Sequence, residues 1–262
     1  LHSLRRRQRQ MCIRDRDTTR YGLDLYGEYR LPELIRAICE ATAIPWIRIL
    51  YCYPDKITDE LISEIKNNDR VVKYIDLPIQ HINDRVLSAM NRHGDSAMIK
   101  AVVEKLRREI PDICLRTTVI VGFPGETEEE FNELCEYVAQ TEFDRLGAFT
   151  YSREEDTPAY DFEDQIDEQT KQDRYDIIMR EQLHIAERKN QAFVGKRMTV
   201  LCEAYDAVAE IYYGRSAYDA PDIDTKVYFR NALGKKRIAP GTFVEVDIEE
   251  AVDYDLIGKA VV

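Results

Sequence analysis

The chain has 262 residues and a hydrophobic content of 44%, enough for one large domain or for a medium domain with a smaller one appended. No apolar run approaches the length of a membrane span, and residues 1–16 lack the apolar core of a secretory signal, so we expect a cytoplasmic protein that does not bind membranes. The formal net charge of −12 is unevenly distributed, because residues 1–16 carry six arginines and one acid while the remainder has 31 basic and 48 acidic residues.

The arginine-rich segment 1–16 has two interpretations. A basic arm of this kind can bind nucleic acid. Alternatively, the segment is foreign to the fold. The composition changes abruptly at Asp17, which favours the second interpretation, so we expect the folded part of the chain to begin there.

Between Asp17 and about Ser152, short apolar runs alternate with helical patterns. The apolar runs predict strands over residues 46–52, 74–80, 113–123 and 146–152. Helices are predicted over 57–66, around the apolar stripe from Ile99 to Ile110, and after Thr127, where Glu130 completes a capping box. Strands separated by helices indicate parallel β-α-β units, so we expect an α/β domain with a partial barrel and ligands at the carboxyl ends of its strands. A partial barrel leaves an unpaired strand edge, near residues 46–52 or at the other margin.

In the second half of the chain, the spacing of the apolar residues changes. Residues 153–168 are predicted to be a connecting loop, and a long helix is predicted from about Glu168 to Phe193. Five short strands are then predicted over 197–205, 209–217, 225–231, 242–252 and 254–262. They indicate a small closed antiparallel barrel of the OB kind. We therefore divide the chain into residues 1–16, an α/β domain over 17–193 and a barrel domain over 194–262.

The stretch TVIVGFPGETEEEF, residues 118–131, carries a glycine turn between a strand and a helix. It is not a P-loop, because no Gly-Lys-Ser/Thr follows Gly125, and it is not the dinucleotide-binding G-x-G-x-x-G. Four glutamates crowd the start of the helix and would repel phosphate. Two interpretations stay open: the glycines only turn the chain, or Gly122 lets a flat neutral or cationic ligand approach the backbone.

The six cysteines are widely scattered and form no C-x-x-C cluster, which favours buried thiols over a metal site.

Several segments occur together, in this order, in one known family. LRREIPDICLRT, TTVIVGFPGETEEEF, DRVLSAMNR and FTYSREEDTPA resemble the radical S-adenosylmethionine (radical SAM) core of the methylthiotransferases, and the final barrel resembles the TRAM domain that follows this core. DTTRYGLDLYG, ILYCYPD, LPIQH and YYGRSAYDAPDID resemble the branch of the family that modifies an aspartate of a small-subunit ribosomal protein. The resemblance covers residues 17–262 almost continuously.

The resemblance implies a chemistry and a cofactor site. In the family, a 4Fe–4S cluster reduces S-adenosylmethionine to a 5′-deoxyadenosyl radical, which takes a hydrogen from the β-carbon of the target aspartate, and a second 4Fe–4S cluster provides the sulfur. By this resemblance, the candidates for the S-adenosylmethionine pocket are Gln80, Arg116, Thr118, Gly122 and Tyr151. Each also has a structural interpretation; Arg116, for example, could pair with a helix acid. We expect His81 to fix its loop by hydrogen bonding rather than to act as a catalyst.

The chain departs from the family in one respect. The cluster motif C-x-x-x-C-x-x-C, which in the family precedes the residues matching DTTRYG, does not occur in the sequence, and neither does the domain that carries the second cluster. We therefore expect a fragment of an enzyme that cannot assemble the radical cluster and is inactive by itself.

The expected partner is a basic small-subunit ribosomal protein bound by the TRAM domain. Residues 194–262 contain nine basic and twelve acidic residues, a poor surface for nucleic acid. The acids expected to pair with the partner's cations are Asp206, Asp219, Asp222 and Asp224. Two alternatives remain: methylthiolation of transfer RNA, for which Lys235, Lys236 and Arg237 could form a basic patch, and a non-catalytic binding module.

Overall fold

The structure is a computed structural model that describes the backbone of residues 10–13 and all of residues 17–232 and 237–261. The strands are β1 (Gln10–Ile13), β2 (Trp46–Ile49), β3 (Val71–Asp76), β4 (Cys114–Val121), β5 (Arg145–Thr150), β6 (Arg197–Asp206), β7 (Ile211–Ser216), β8 (Val227–Asn231), β9 (Phe243–Val252) and β10 (Asp255–Ala260). The helices are α1 (Leu23–Tyr26), α2 (Leu31–Ala41), α3 (Asp59–Asn67), α4 (Asp84–Ala89), α5 (Ser96–Glu109), α6 (Glu128–Thr141) and α7 (Glu168–Gln191).

Strands β1 to β5 form one parallel sheet in chain order, which confirms the predicted α/β class. The sheet has five strands rather than the four predicted, because β1 lies within the segment 1–16 that we expected to be foreign. β1 pairs with β2 in the register Gln10 to Trp46. Residues 46–52 are therefore not an unpaired edge; among the described residues, β1 and β5 form the two margins of the sheet, and each pairs with one strand.

The two faces of this sheet are used differently. Alternate strand residues, such as Ile47, Ile75 and Leu115, pack with the helices in the main apolar core. The residues between them point to the opposite face, where a smaller core that includes Tyr74 and Cys114 packs against the second domain. One face of the sheet thus stabilises the α/β domain and the other contacts the barrel.

Strands β6 to β10 close into a barrel in the order β10-β8-β7-β6-β9, as the period of two predicted. The expectation of a wholly antiparallel barrel is wrong in one place, because β8 and β10 pair in parallel. An odd number of strands cannot alternate in direction around a closed ring, so a five-stranded barrel requires at least one parallel pair. The remaining four pairs are antiparallel.

The helices follow their sequence signals. Thr127 caps α6, and the capping box with Glu130 is confirmed. The predicted long helix is α7; it packs on β5 with Ile178 and Ile185 buried and leads into the barrel. Within residues 17–232 and 237–261, none of the helices combines the length and the apolar character needed to cross a membrane.

Candidate functional site

The first functional feature is a break in β3, where the sequence predicted a continuous strand over residues 74–80. β3 ends at Asp76, before Pro78, which has no N–H group to donate to the sheet. The chain rejoins the sheet at Gln80, whose N–H donates to the carbonyl of Thr118 at 2.9 Å. Gln80 has a φ of +68°, and its buried side-chain Oε1 has no hydrogen-bond partner among the residues that the structure describes. A free buried acceptor on a strained residue marks a position where a ligand can donate a hydrogen bond.

Arg116 is held by acids from both domains. Its Nη1 donates to Asp76 Oδ1 at 2.9 Å and to Thr118 Oγ1 at 3.2 Å, and its Nε donates to Asp224 Oδ1 at 3.2 Å. Nη2 has no hydrogen-bond partner within the described ranges. Burial by itself lowers the pKa of Arg116, but Asp76, Tyr74 and Asp224 raise that pKa above its ordinary value, so the guanidinium is charged. The alternative interpretation, a pair with a helix acid, is wrong, because neither acid lies on a helix.

Three of the five residues chosen for the cofactor pocket meet at one cavity. Gln80, Arg116 and Thr118 border a space of about 260 Å³ at the carboxyl end of the parallel sheet. The other walls, mostly aromatic or aliphatic, are Tyr51, Tyr53, Pro78, Arg92, Phe149 and Ile223. Predominantly apolar walls with a few polar groups are typical of a small-molecule site.

The glycine turn after β4 is held by an acid of the protein itself. Glu126 Oε2 accepts from the N–H groups of Gly122 at 3.0 Å and Phe123 at 3.4 Å, and Oε1 accepts from Arg174 of α7 at 2.7 Å. Burial raises the pKa of Glu126, and its hydrogen bonds to Gly122 and Arg174 oppose that rise. The backbone donors of the turn are therefore already bound to a buried carboxyl group.

Gly122 and Tyr151 do not border the cavity. Gly122 has a φ of +72°, and a Cβ at this position would meet the side chain of Lys171. The Cβ side of Gly122 is therefore filled by α7, which favours the interpretation that this glycine turns the chain. The Tyr151 ring packs edge-on against Phe123, with centroids 5.2 Å apart, and its buried hydroxyl has no hydrogen-bond partner in the described part of the chain. A cofactor role for these two residues stays a prediction.

His81 fixes its loop, as expected. The side chain is fully buried, and Nδ1 accepts from the N–H of Asn83 at 3.0 Å. Burial lowers the pKa of His81 to about 4, so the ring is neutral at pH 7 and its proton is on Nε2, which faces Glu126 Oε2 at 3.7 Å. His81 does not border the cavity.

The loop between β7 and β8, residues 217–226, lies against the parallel sheet, and we call it the strap. Asp219 Oδ1 accepts from Arg145 Nη2 at 2.7 Å, and Asp224 Oδ2 accepts from the Tyr74 hydroxyl at 2.6 Å. Both carboxylates are buried, with side-chain exposures of 2% and 3%. The prediction that they face a partner protein is therefore wrong, because arginines of the α/β domain already pair with them.

Other predicted partner contacts remain on the surface or lie outside the described residues. Asp206, Asp222 and Arg237 are exposed, whereas Lys235 and Lys236 lie outside the described residues.

Sequence reasoning missed Asp76, Tyr74 and Ile223. A signal for Asp76 existed, because an acid inside the apolar run YIDLP has to find a positive partner once it is buried. No comparable signal marks Tyr74 or Ile223. Tyr74 meets Asp224, which lies 150 residues further along the chain in the other domain. Ile223 meets cavity residues that belong to the α/β domain.

The cysteines do not form a metal site in the described part of the chain. Cys52, Cys114 and Cys202 are buried, and Cys39 and Cys135 are half-buried. Burial raises the pKa of Cys135 and of Cys202 to about 11, which keeps these thiols protonated at pH 7. Across residues 17–232 and 237–261, no group of three or more His, Cys, Asp and Glu side chains is arranged to hold a metal ion.

Two family models match the chain. The model of the radical SAM superfamily matches residues 21–138, which include the three cavity residues, and the TRAM domain model matches residues 194–261, which include the strap. The fold and the site thus define a radical SAM core joined to a TRAM barrel. Radical SAM proteins use S-adenosylmethionine together with a 4Fe–4S cluster.

Curated relatives indicate a particular branch of the radical SAM proteins. The ribosomal protein uS12 methylthiotransferase RimO of Alkaliphilus oremlandii is 47% identical over 251 residues, covering 96% of this chain and 57% of the relative. RimO of Desulfitobacterium hafniense is 49% identical over 254 residues, covering 97% of this chain and 56% of the relative. The chain belongs to the RimO type of the radical SAM methylthiotransferase family. It spans about half the length of the curated relatives that it matches.

Solved structures were compared as well. Coproporphyrinogen III oxidase (HemN) from Escherichia coli, a radical SAM enzyme, aligns with a TM-score of 0.45 and 21% identity, covering 62% of this chain and 36% of that one. The radical S-adenosylmethionine methyltransferase TsrM from Kitasatospora setae aligns with a TM-score of 0.42 and 17% identity, covering 54% and 27%.

Proposed function

We propose that this chain supplies the S-adenosylmethionine site of an enzyme that methylthiolates the β-carbon of an aspartate on a small-subunit ribosomal protein. The observation that carries the proposal is the meeting of Gln80, Arg116 and Thr118 at one cavity within the segment that the radical SAM model matches. The curated relatives, which match nearly all of this chain, are named ribosomal protein uS12 methylthiotransferases.

The cavity residues fit the cofactor in three ways. Gln80 Oε1 is a free acceptor for an amino group such as that of adenine. Tyr51 and Phe149 provide aromatic surface for a flat ring. Arg116 contributes a charged guanidinium to the cavity wall, and such a donor suits a carboxylate or hydroxyl oxygen. Bound there and reduced by an iron–sulfur cluster, S-adenosylmethionine supplies the radical chemistry.

The role proposed for the described residues is to bind and orient S-adenosylmethionine and to exclude water from it. Two 4Fe–4S clusters belong to the proposed enzyme, yet the described residues offer no ligand set for either cluster. We therefore propose that the chain binds S-adenosylmethionine without turnover when it is alone.

The proposed partner is the basic ribosomal protein, bound through the TRAM barrel. Burial of Asp219 and Asp224 against arginines removes two of the twelve acids from the barrel surface, so charge supports this docking less than the sequence suggested. The proposal that a ribosomal protein docks on the barrel therefore rests on the names of the curated relatives. Transfer RNA remains the alternative substrate.

Binding is tested by titrating the chain with S-adenosylmethionine in equilibrium dialysis. Gln80→Met keeps the length of the side chain but removes the free acceptor, and we expect about five- to tenfold weaker binding from the loss of one hydrogen bond. Gln172→Met on the exposed surface of α7 is the matched control and should bind like the parent. Equal affinity of the parent and Gln80→Met would refute the assignment of the cavity.

Activity is tested in a chimera that joins residues 17–262 to the preceding half of the Alkaliphilus oremlandii relative. After anaerobic reconstitution, the chimera is incubated separately with small ribosomal subunits and with transfer RNA, and the products are weighed by mass spectrometry. We expect a methylthio group on the ribosomal protein only. Modification of transfer RNA alone would favour the alternative function.

A further inference from the structure

The strap brings Ile223 of the TRAM barrel to the candidate cofactor cavity and Asp224 to Arg116. Ile223 forms part of the cavity wall. The neighbouring Asp224 does not border the cavity, but its Oδ1 accepts from Arg116 Nε at 3.2 Å. The barrel therefore contacts the candidate site directly through one residue and indirectly through the other.

Asp224 is itself held from two sides. Its Oδ2 accepts from the hydroxyl of Tyr74 on β3 at 2.6 Å and from the N–H of Ala220 in the strap at 2.8 Å. Only 3% of the side chain is exposed. Its position thus depends on the strap being seated on the sheet, because one of its partners belongs to the strap and the others belong to the α/β domain.

Asp224 completes the set of contacts that orients Arg116. A guanidinium is planar, so acceptors on two of its edges fix both its direction and its plane. Asp76 and Thr118 accept hydrogen bonds from Nη1, and Asp224 accepts one from Nε. Nη2 is left without a partner among the described residues and lies near Gly147, which borders a neighbouring cavity together with Arg116, Ile223 and Asp224. Without Asp224, the Nε edge has no acceptor and the direction of Nη2 is no longer fixed.

We infer that Asp224 is a positioning residue through which the TRAM barrel sets the affinity of the cavity for S-adenosylmethionine. The inference rests on the proposed function of the cavity. Because coupling between two sites is reciprocal, S-adenosylmethionine in the cavity should in turn stabilise the seated strap. The TRAM barrel is then a part of the cofactor site as well as a docking domain.

The test compares three single variants in the whole chain. Asp224→Asn removes the charge that faces Arg116 and should weaken S-adenosylmethionine binding about tenfold, the loss expected for one charge-assisted hydrogen bond. Tyr74→Phe removes the hydroxyl that holds Asp224, leaves every hydrogen bond of Arg116 in place and should weaken binding about two- to threefold. Asp222→Asn changes an exposed acid of the same strap and should leave the affinity unchanged.

Two measurements distinguish a positioning role of Asp224 from a general loss of structure around the cavity. In the protein without ligand, the Arg116 Nε–H resonance should be protected from solvent exchange, and this protection should fall in Asp224→Asn. In a double-mutant cycle with Arg116→Gln, the losses in affinity should be far from additive, because Asp224 acts through Arg116. Additive losses, or an unchanged Nε–H resonance and affinity in Asp224→Asn, would overturn the inference.

The outcome for Arg116→Gln distinguishes the inference from the proposal beneath it. If Arg116→Gln and Gln80→Met both bind S-adenosylmethionine like the parent, the cavity is not the cofactor site and the proposed function fails first. If both variants bind weakly and Asp224→Asn binds like the parent, only the positioning role of Asp224 is refuted.

Discussion

Replacing Gly122 by alanine tests whether the glycine turn is a packing site. Gly122 has a φ of +72°, a conformation that costs other residues about 1–2 kcal/mol. The added Cβ would lie 3.1 Å from the Cβ of Lys171 and closer still to its Cγ, in space that α7 already fills. Overpacking of this kind costs about 1–3 kcal/mol. We therefore expect Gly122→Ala to lower the free energy of unfolding by about 2–5 kcal/mol in the absence of any ligand.

Gly27→Ala is the matched control. Gly27 has a φ of +75°, but nothing lies within 4 Å of an added Cβ, so only the conformational cost applies. Unfolding in urea is followed by the fluorescence of Trp46, the only tryptophan, which packs edge-on against Phe243 of the barrel with ring centroids 4.6 Å apart. Equal losses in the two variants would refute the packing argument, and so would a failure of Lys171→Ala to restore part of the loss in Gly122→Ala.

Three further changes test the contacts around the site. Asp219→Asn leaves Arg145 buried without a charge partner and should cost about 3–5 kcal/mol in urea unfolding, whereas the exposed Asp222→Asn should cost less than about 0.5 kcal/mol. The pKa of His81 falls from 6.5 to about 4 on folding, so acidification over that window protonates the unfolded chain first. The contribution of His81 to the free energy of unfolding should therefore drop by about 3 kcal/mol as the pH falls from 6.5 to about 4, and this loss should be absent in His81→Asn. Thr127→Ala removes the cap of α6 and should lower the unfolding free energy by about 1 kcal/mol; no change would contradict the capping box.

Local signals predicted the elements well because each depends on nearby residues. The period of two after Gly195 predicted the closed barrel, and the Thr127–Glu130 spacing predicted the cap of α6. The predicted strand over 74–80 is too long, because β3 ends at Asp76, before Pro78, which has no N–H group for the ladder. The error matters for function, because the break places Gln80 at the cavity.

Contacts between distant segments cannot be predicted from these local signals. The aspartates of the strap have the composition of a solvated loop, and nothing in their local pattern distinguishes a surface acid from one that meets an arginine 70 to 110 residues away. The burial of Asp219 follows from Arg145 and Ser216 together, which compensate its desolvation and leave its pKa below the ordinary value. Only the docked domains bring these groups together.

Two turns at the carboxyl end of the sheet show what marks a ligand site more reliably than glycine content. The Gly122 turn is rich in glycine, but Glu126 takes its backbone donors and Lys171 takes its open side, so it has little left to offer a ligand. The turn at Gln80 contains no glycine, yet it borders a cavity and carries a buried acceptor that no group within residues 17–232 and 237–261 satisfies. An unmet hydrogen bond is costly in a folded protein, so a ligand or a water molecule that donates to Gln80 in the cavity would be stabilised there. On that physical ground, Gln80 and Arg116, rather than the glycine turn, are the residues whose substitution should alter the binding of S-adenosylmethionine.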